Sequence, residues 1–250
     1  MQRWQVEAGA ARAAHPPLEL RYGPGPREVI DLFEAGRDAP VAVFLHGGYW
    51  QALDRGWFSW VAPALVARGV SVAIPSYDLA PTVRLGRILA QVREAVEVVR
   101  ARPGSKQGAR PMVFGHSAGG HMAAAMLSEG RASAALAISG VFDLAPLIPT
   151  SLNLALGLDE MEARALSVTH WPAPDGSTPG GTTLDCWVGG AESPEFLRQS
   201  RDMAALWGGR GVRTRVEVLD GLNHFTVLDP LADGGSGMVN RIVEMARSGD

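Results

Sequence analysis

Short apolar runs alternate with stretches of helical spacing along most of this 250-residue chain, and that alternation leaves few architectures open. Residues 41–45, 70–75, 111–114, 134–139, 184–188 and 212–219 are each too short for a helix, and each ends at proline or runs into glycine-containing or polar turn residues, as buried strands do. Between them, 56–68, 118–128, 194–208 and 238–246 read as helices. The clearest helix carries Leu85, Ile88, Leu89, Val92, Val96 and Val99 on one face and runs toward the Pro103-Gly104 stop. Repeated strand–helix–strand order predicts an α/β fold, a mostly parallel central sheet with helices on both faces. Two further runs, 18–22 and 29–33, flank Gly23-Pro24-Gly25-Pro26 and predict a hairpin at the sheet edge. The stretch 142–183 fits no strand, mixes short helical pieces with a Pro/Gly-rich tail at 172–181, and reads as a small cap inserted over the strand ends of a single domain spanning 1–250.

Composition narrows the partners. With 23 basic and 26 acidic residues, a formal charge of −3 and no run of five like charges, the chain is not built for nucleic acid. Its one cysteine, Cys186, excludes an intramolecular disulfide and any multi-cysteine metal site. The first twenty residues lack the apolar segment of a secretory leader, and no apolar run is long enough to span a bilayer, so a cytoplasmic protein without a membrane partner is expected.

In parallel sheets ligands bind beyond the carboxyl ends of the strands, so the residues just after each strand carry the chemistry. After 111–114 comes Gly115-His116-Ser117-Ala118-Gly119, a G-x-S-x-G pattern leading straight into a helix. Glycines two residues either side of the serine leave room for a sharp, strained turn that presents Ser117 at a helix N-terminus, where the Ala118 amide and the helix dipole favour an oxyanion. After 41–45 comes His46-Gly47-Gly48-Tyr49-Trp50, whose glycines let the Gly48 and Tyr49 amides turn toward the same place, each donor of such a hole being worth roughly 10² to 10³ in rate. A serine nucleophile needs a base and the base an acid, in the chain order Ser, acid, His. Only His170 and His224 lie far enough downstream; His224 follows a strand end, whereas His170 falls in the cap. Glu192, just after 184–188, is the first choice for the acid. Glu195 is the nearest rival, although Ser193-Pro194-Glu195 has the pattern of a helix start, and Asp185, Asp220 and Asp229 remain. No phosphate-loop, dinucleotide, HExxH or calcium-loop pattern occurs, so no metal or other cofactor is expected.

These residues together resemble the kynurenine formamidase (arylformamidase) family of the α/β-hydrolase fold. The likeness rests on His46-Gly47-Gly48-Tyr49-Trp50, matching HGGxW, on Tyr77-Asp78-Leu79-Ala80-Pro81, on Gly115 through His121, on Ser139-Gly140-Val141-Phe142-Asp143-Leu144, and on Glu192-Ser193-Pro194-Glu195-Phe196 with Arg198-Gln199-Ser200. It spans about Tyr22 to Asp229. It implies hydrolysis of N-formyl-L-kynurenine to kynurenine and formate, in tryptophan breakdown, with the family's nucleophile, acid and base falling on Ser117, Glu192 and His224. The acid is more often aspartate in that family, and the cap segment Leu166-Ser167-Val168 lacks its usual proline.

The partner expected is therefore a small molecule with an aryl or acyl group; a homodimer is compatible with all of this. Trp50, Phe142, Trp171 and Phe225 flank the proposed site loops and are candidates for holding an aromatic ring, with core or cap packing as their alternative role. Two other functions fit the same residues. A broad carboxylesterase for short acyl or aryl esters would use the same triad, and a non-catalytic binding module would keep the fold alone.

Overall fold

The computed structural model describes residues 2–102, 109–175 and 181–248. A helix, α1 (Gln2–Ala14), precedes the hairpin of β1 (Leu18–Arg21) and β2 (Val29–Phe33). Strand and helix then alternate through β3 (Val41–Leu45), α2 (Ala62–Ala67), β4 (Ser71–Pro75), α3 (Leu85–Arg100), β5 (Met112–His116), α4 (Ala118–Ser128) and β6 (Ala134–Ile138). Two short helices, α5 (Asn153–Leu156) and α6 (Glu160–Leu166), lead to β7 (Thr183–Gly189), α7 (Pro194–Gly208), β8 (Arg213–Leu219) and α8 (Gly237–Ser248). The Pro103-Gly104 stop and residues 176–180 of the Pro/Gly-rich tail lie outside the described residues.

One eight-stranded sheet runs in the order β1-β2-β4-β3-β5-β6-β7-β8, with β1 and β2 antiparallel and every pair from β4 to β8 parallel. Its central strands are buried on both faces, which is why they read as unbroken apolar runs. α3, α4 and α7 pack on one face, through Leu89, Met122 and Trp207 among others. α1, α2 and α8 pack on the other, through Trp4, Leu65 and Ile242. No helix of the described residues is long and apolar enough to cross a membrane.

Two local differences from the sequence expectation have clear causes. α1 escapes a periodicity reading because its buried stripe is Trp4, Ala8 and Ala11, and alanine carries little hydrophobic signal. It is held instead by Trp4 against Phe58, ring centroids 5.3 Å apart, and by Arg12 on the buried carboxylate of Asp31. The helix expected over 56–68 is broken into two 3₁₀ turns, Arg55–Trp57 and Ser59–Val61, ahead of α2. Pro63 sits in the first turn of α2; deeper in a helix it would leave the Ser59 carbonyl without its donor and clash with it.

Candidate active site

Ser117 joins β5 to α4 with φ +56° and ψ −117°, a strained conformation for a non-glycine residue. Its N–H donates to Ile138 O at 2.8 Å, which ties the turn to β6. Sterics explain the flanking glycines: a Cβ on Gly119 would lie 1.8 Å from Leu45 O, and one on Gly115 would lie 2.2 Å from Gly119 O. Ser117 is only 1% exposed, and its Oγ has no hydrogen-bond partner among the described residues. The Ala118 N–H, first in α4, has no intrahelical acceptor.

The loop after β3 packs directly on this turn, since a Cβ on Gly47 would be 3.1 Å from Ser117 Cβ. Three successive residues there have positive φ, Gly48 at 107°, Tyr49 at 49° and Trp50 at 58°. The Gly48 carbonyl is turned inward and accepts from Gln51 N and Ala52 N at 2.9 and 3.1 Å. The N–H groups of Gly48 and Tyr49 are left without a partner among the described residues. His46 organises the loop from beneath. It is fully buried and stacked on Tyr77 at 4.3 Å, and burial pulls its pKa down to about 4, so the ring stays neutral.

At the end of β7 and beyond β8, Glu192 and His224 meet, with His224 Nδ1 2.6 Å from Glu192 Oε2. The Glu192 carboxylate is fully buried, and its other oxygen accepts from Gly189 N at 2.8 Å and from Ser139 Oγ at 2.5 Å. Ser139, at the end of β6, is itself held at φ +52°, with its N–H on Trp187 O at 2.7 Å. The imidazole of His224 is clamped between Phe196, stacked at 4.3 Å, and His116 at 4.6 Å. Burial, reinforced by His224, holds the His116 pKa well below its ordinary value. Neutral His116 therefore carries its proton on Nε2 and donates to His224 O at 2.8 Å. Ser117 follows His116 in the chain, so the turn that carries it is joined to the His224–Glu192 pair through the contacts of His116 with His224.

Three of the four rival acids are engaged elsewhere. Glu195 accepts from Arg198 and Gln199, at 2.6 and 2.8 Å. Asp185 holds Arg241, and Asp229 holds Arg3. His170 lies in a 3₁₀ turn between α6 and β7, and the hydrogen bonds and ring contacts that hold Glu192 and His224 do not involve it.

The aromatic candidates divide. Trp50 and Phe142 are wholly buried: Trp50 meets His121 edge to face at 5.3 Å, and the Phe142 backbone N–H is held by Gln199. Trp171 is partly buried and donates from its indole to Ala165 O. Phe225 is 54% exposed and lies 5.9 Å from His224. Exposed aromatic surface beside the imidazole thus comes from Phe225 and the half-buried Phe196. Trp50→Ala is accordingly expected to act through packing, lowering stability by about 3–5 kcal/mol in denaturant titration. A change in KM for aryl substrates at unaltered stability would contradict that.

Sequence reading did not single out Ser139, Gln199 or Phe196 individually. The available signal was position, since Ser139 sits just beyond β6 as Ser117 sits beyond β5. The segment carrying α5 and α6 is fastened to the loop after β3 by Gln51 Nε2 on Leu152 O at 3.0 Å and to α4 by His121 Nε2 on Leu166 O at 2.8 Å.

A family model described as the alpha/beta hydrolase fold matches residues 42–171. Among curated proteins, the kynurenine formamidase of Salmo salar is 30% identical over 255 residues, covering 96% of this chain and 86% of that protein. That of Danio rerio is 26% identical over 91% of this chain and 81% of its own length. Among solved structures, a Silicibacter protein provisionally described as a thioesterase superposes with a TM-score of 0.85 at 33% identity, covering 96% of this chain and 91% of that one.

Proposed function

Because this chain belongs to the kynurenine formamidase family of the α/β-hydrolase fold, we propose that it hydrolyses the formamide of N-formyl-L-kynurenine, with Ser117 as nucleophile, His224 as base and Glu192 as the acid that orients it. The observation that carries this reading is the 2.6 Å contact of His224 Nδ1 with buried Glu192, beside a serine whose Oγ is left unpartnered on a strained turn. Nδ1 is committed to the carboxylate, which leaves Nε2 to take the Ser117 proton as Oγ attacks the formyl carbon. The oxyanion is held by the N–H groups of Gly48, Tyr49 and Ala118. Collapse breaks the C–N bond; His224 returns the proton to the departing aryl amine, and kynurenine leaves a formyl ester on Ser117. Water, deprotonated by the same imidazole, then releases formate.

A one-carbon acyl group suits a serine that is 1% exposed, while Phe196 and Phe225 offer ring surface beside the imidazole for the aryl leaving group. The longer glutamate, where aspartate is commoner, suits a pocket in which Gly189 N and Ser139 Oγ fix its far oxygen. A cytoplasmic setting fits the lone buried thiol of Cys186. Measured side by side, kcat/KM for N-formyl-L-kynurenine is expected to exceed that for p-nitrophenyl acetate by ~10²-fold or more. A preference for the ester would retain the triad and replace the substrate with short acyl esters.

A further inference from the structure

Of the three tyrosines, two have their hydroxyls committed to the backbone, Tyr22 donating to Ser76 O at 2.5 Å and Tyr77 to His46 O at 2.7 Å. The hydroxyl of the third, Tyr49, has no hydrogen-bond partner among the described residues and is not sealed from solvent. Its place is set by the loop after β3, which meets the Ser117 turn at Gly47. Successive positive φ angles at Gly48, Tyr49 and Trp50 bury Trp50 against His121 and leave Tyr49 half-buried. The Tyr49 ring packs against the core face formed by α3, α4 and α7, as does Phe196, the ring stacked on His224. Burial and the charge of Glu192 both raise the pKa of the Tyr49 phenol, so it keeps its proton and remains a donor in the field of the triad.

We propose that the Tyr49 hydroxyl is a catalytic donor to the leaving group, bonding the ketone oxygen that N-formyl-L-kynurenine carries on the ring carbon beside its formamide; this rests on the formamide reading above. In that substrate the nitrogen is joined to the ketone through an aromatic C=C bond. Charge gathering on nitrogen as the C–N bond breaks therefore spreads onto the ketone oxygen. A donor at that oxygen is bonded more strongly in the transition state than in the ground state, which is the condition for lowering a barrier. Tyr49 transfers nothing: the C–N electron pair goes to nitrogen, His224 Nε2 delivers its proton there, and the phenol only tightens its hydrogen bond. One residue thus serves both halves of the tetrahedral intermediate, its N–H on the oxyanion and its O–H on the departing amine. The favoured substrates are formanilides with a carbonyl ortho to nitrogen.

The test compares 2-formamidoacetophenone with its 4-formamido isomer, whose ketone is conjugated to nitrogen in the same way but lies across the ring. kcat/KM is the quantity to read, because it reports the acylation step in which the C–N bond breaks. Wild type is expected to favour the ortho isomer at least ~10-fold. Tyr49→Phe keeps the ring and the backbone N–H and removes one hydrogen bond to a developing charge. It is expected to lower kcat/KM for the ortho isomer and for N-formyl-L-kynurenine by roughly 10- to 100-fold, and for the para isomer by only a few-fold. A disturbed loop would slow both isomers alike, so the ortho-to-para ratio separates the chemical role from a structural one. A wild type without ortho preference, or a ratio unchanged in Tyr49→Phe while formamides are still hydrolysed, would overturn the assignment of Tyr49 alone. Wild type that cleaves p-nitrophenyl acetate and none of the formamides would overturn the formamide reading and this inference with it.

Discussion

Replacing Ser117 by alanine is expected to lower kcat for N-formyl-L-kynurenine by at least ~10⁴-fold with KM nearly unchanged. The size of the effect follows from what the hydroxyl does in this geometry. Its turn costs conformational energy, with φ at +56°, and only glycine fits at the flanking positions, where a Cβ would clash with the neighbouring backbone. That conformation makes no contact for the side chain, because Oγ is buried without a partner. Removing the oxygen therefore relieves nothing in the ground state and deletes the one atom that can form the acyl bond, so the loss falls on kcat. The fold should hold, since the turn is fixed by backbone contacts such as Ser117 N to Ile138 O. Kinetics alongside thermal unfolding check both halves.

Glu192→Gln is expected to lower kcat by roughly 10³ to 10⁴-fold, against a few-fold for Glu195→Gln. Glu192 has one oxygen on His224 Nδ1 and the other on Gly189 N and Ser139 Oγ. An amide in that place offers one acceptor and one NH₂ group. If its oxygen stays on Gly189 and Ser139, its NH₂ faces Nδ1 and forces the proton to Nε2, the tautomer that cannot accept from Ser117. If it flips, two donors point at NH₂. Either arrangement damages the site, whereas Glu195 bonds only Arg198 and Gln199 at the surface. Ser139→Ala keeps the carboxylate and removes one of its holders, so a smaller loss, about tenfold in kcat, is expected. The opposite ranking of the two glutamates would reject the acid assignment.

Why some of this was legible in the residues and some was not has a physical basis. Ser117 was visible because its turn excludes every Cβ at 115 and 119, a constraint written as glycines at fixed spacing. Gly48 and its neighbours were visible for the same reason, a positive-φ loop announcing itself through Gly47-Gly48. His224 and Glu192 followed from chain order and strand ends. Ser139 was hidden, since its partner lies 53 residues away and a serine after a strand has many ordinary roles. Trp50 could be placed on the loop from sequence, but the direction of its ring depends on three successive backbone angles, and those turn it inward onto His121. Among the elements, the apolar strands of the parallel sheet were read almost to the residue. α1 was missed because a stripe of alanines around one tryptophan has no contrast with its surroundings.

The most direct test of the account is covalent labelling with a fluorophosphonate in the presence and absence of N-formyl-L-kynurenine. One equivalent of label on the peptide containing Ser117, loss of activity in proportion to labelling, and protection that rises with substrate occupancy are the predicted results. Label on another residue, or full activity in a fully labelled enzyme, would contradict it.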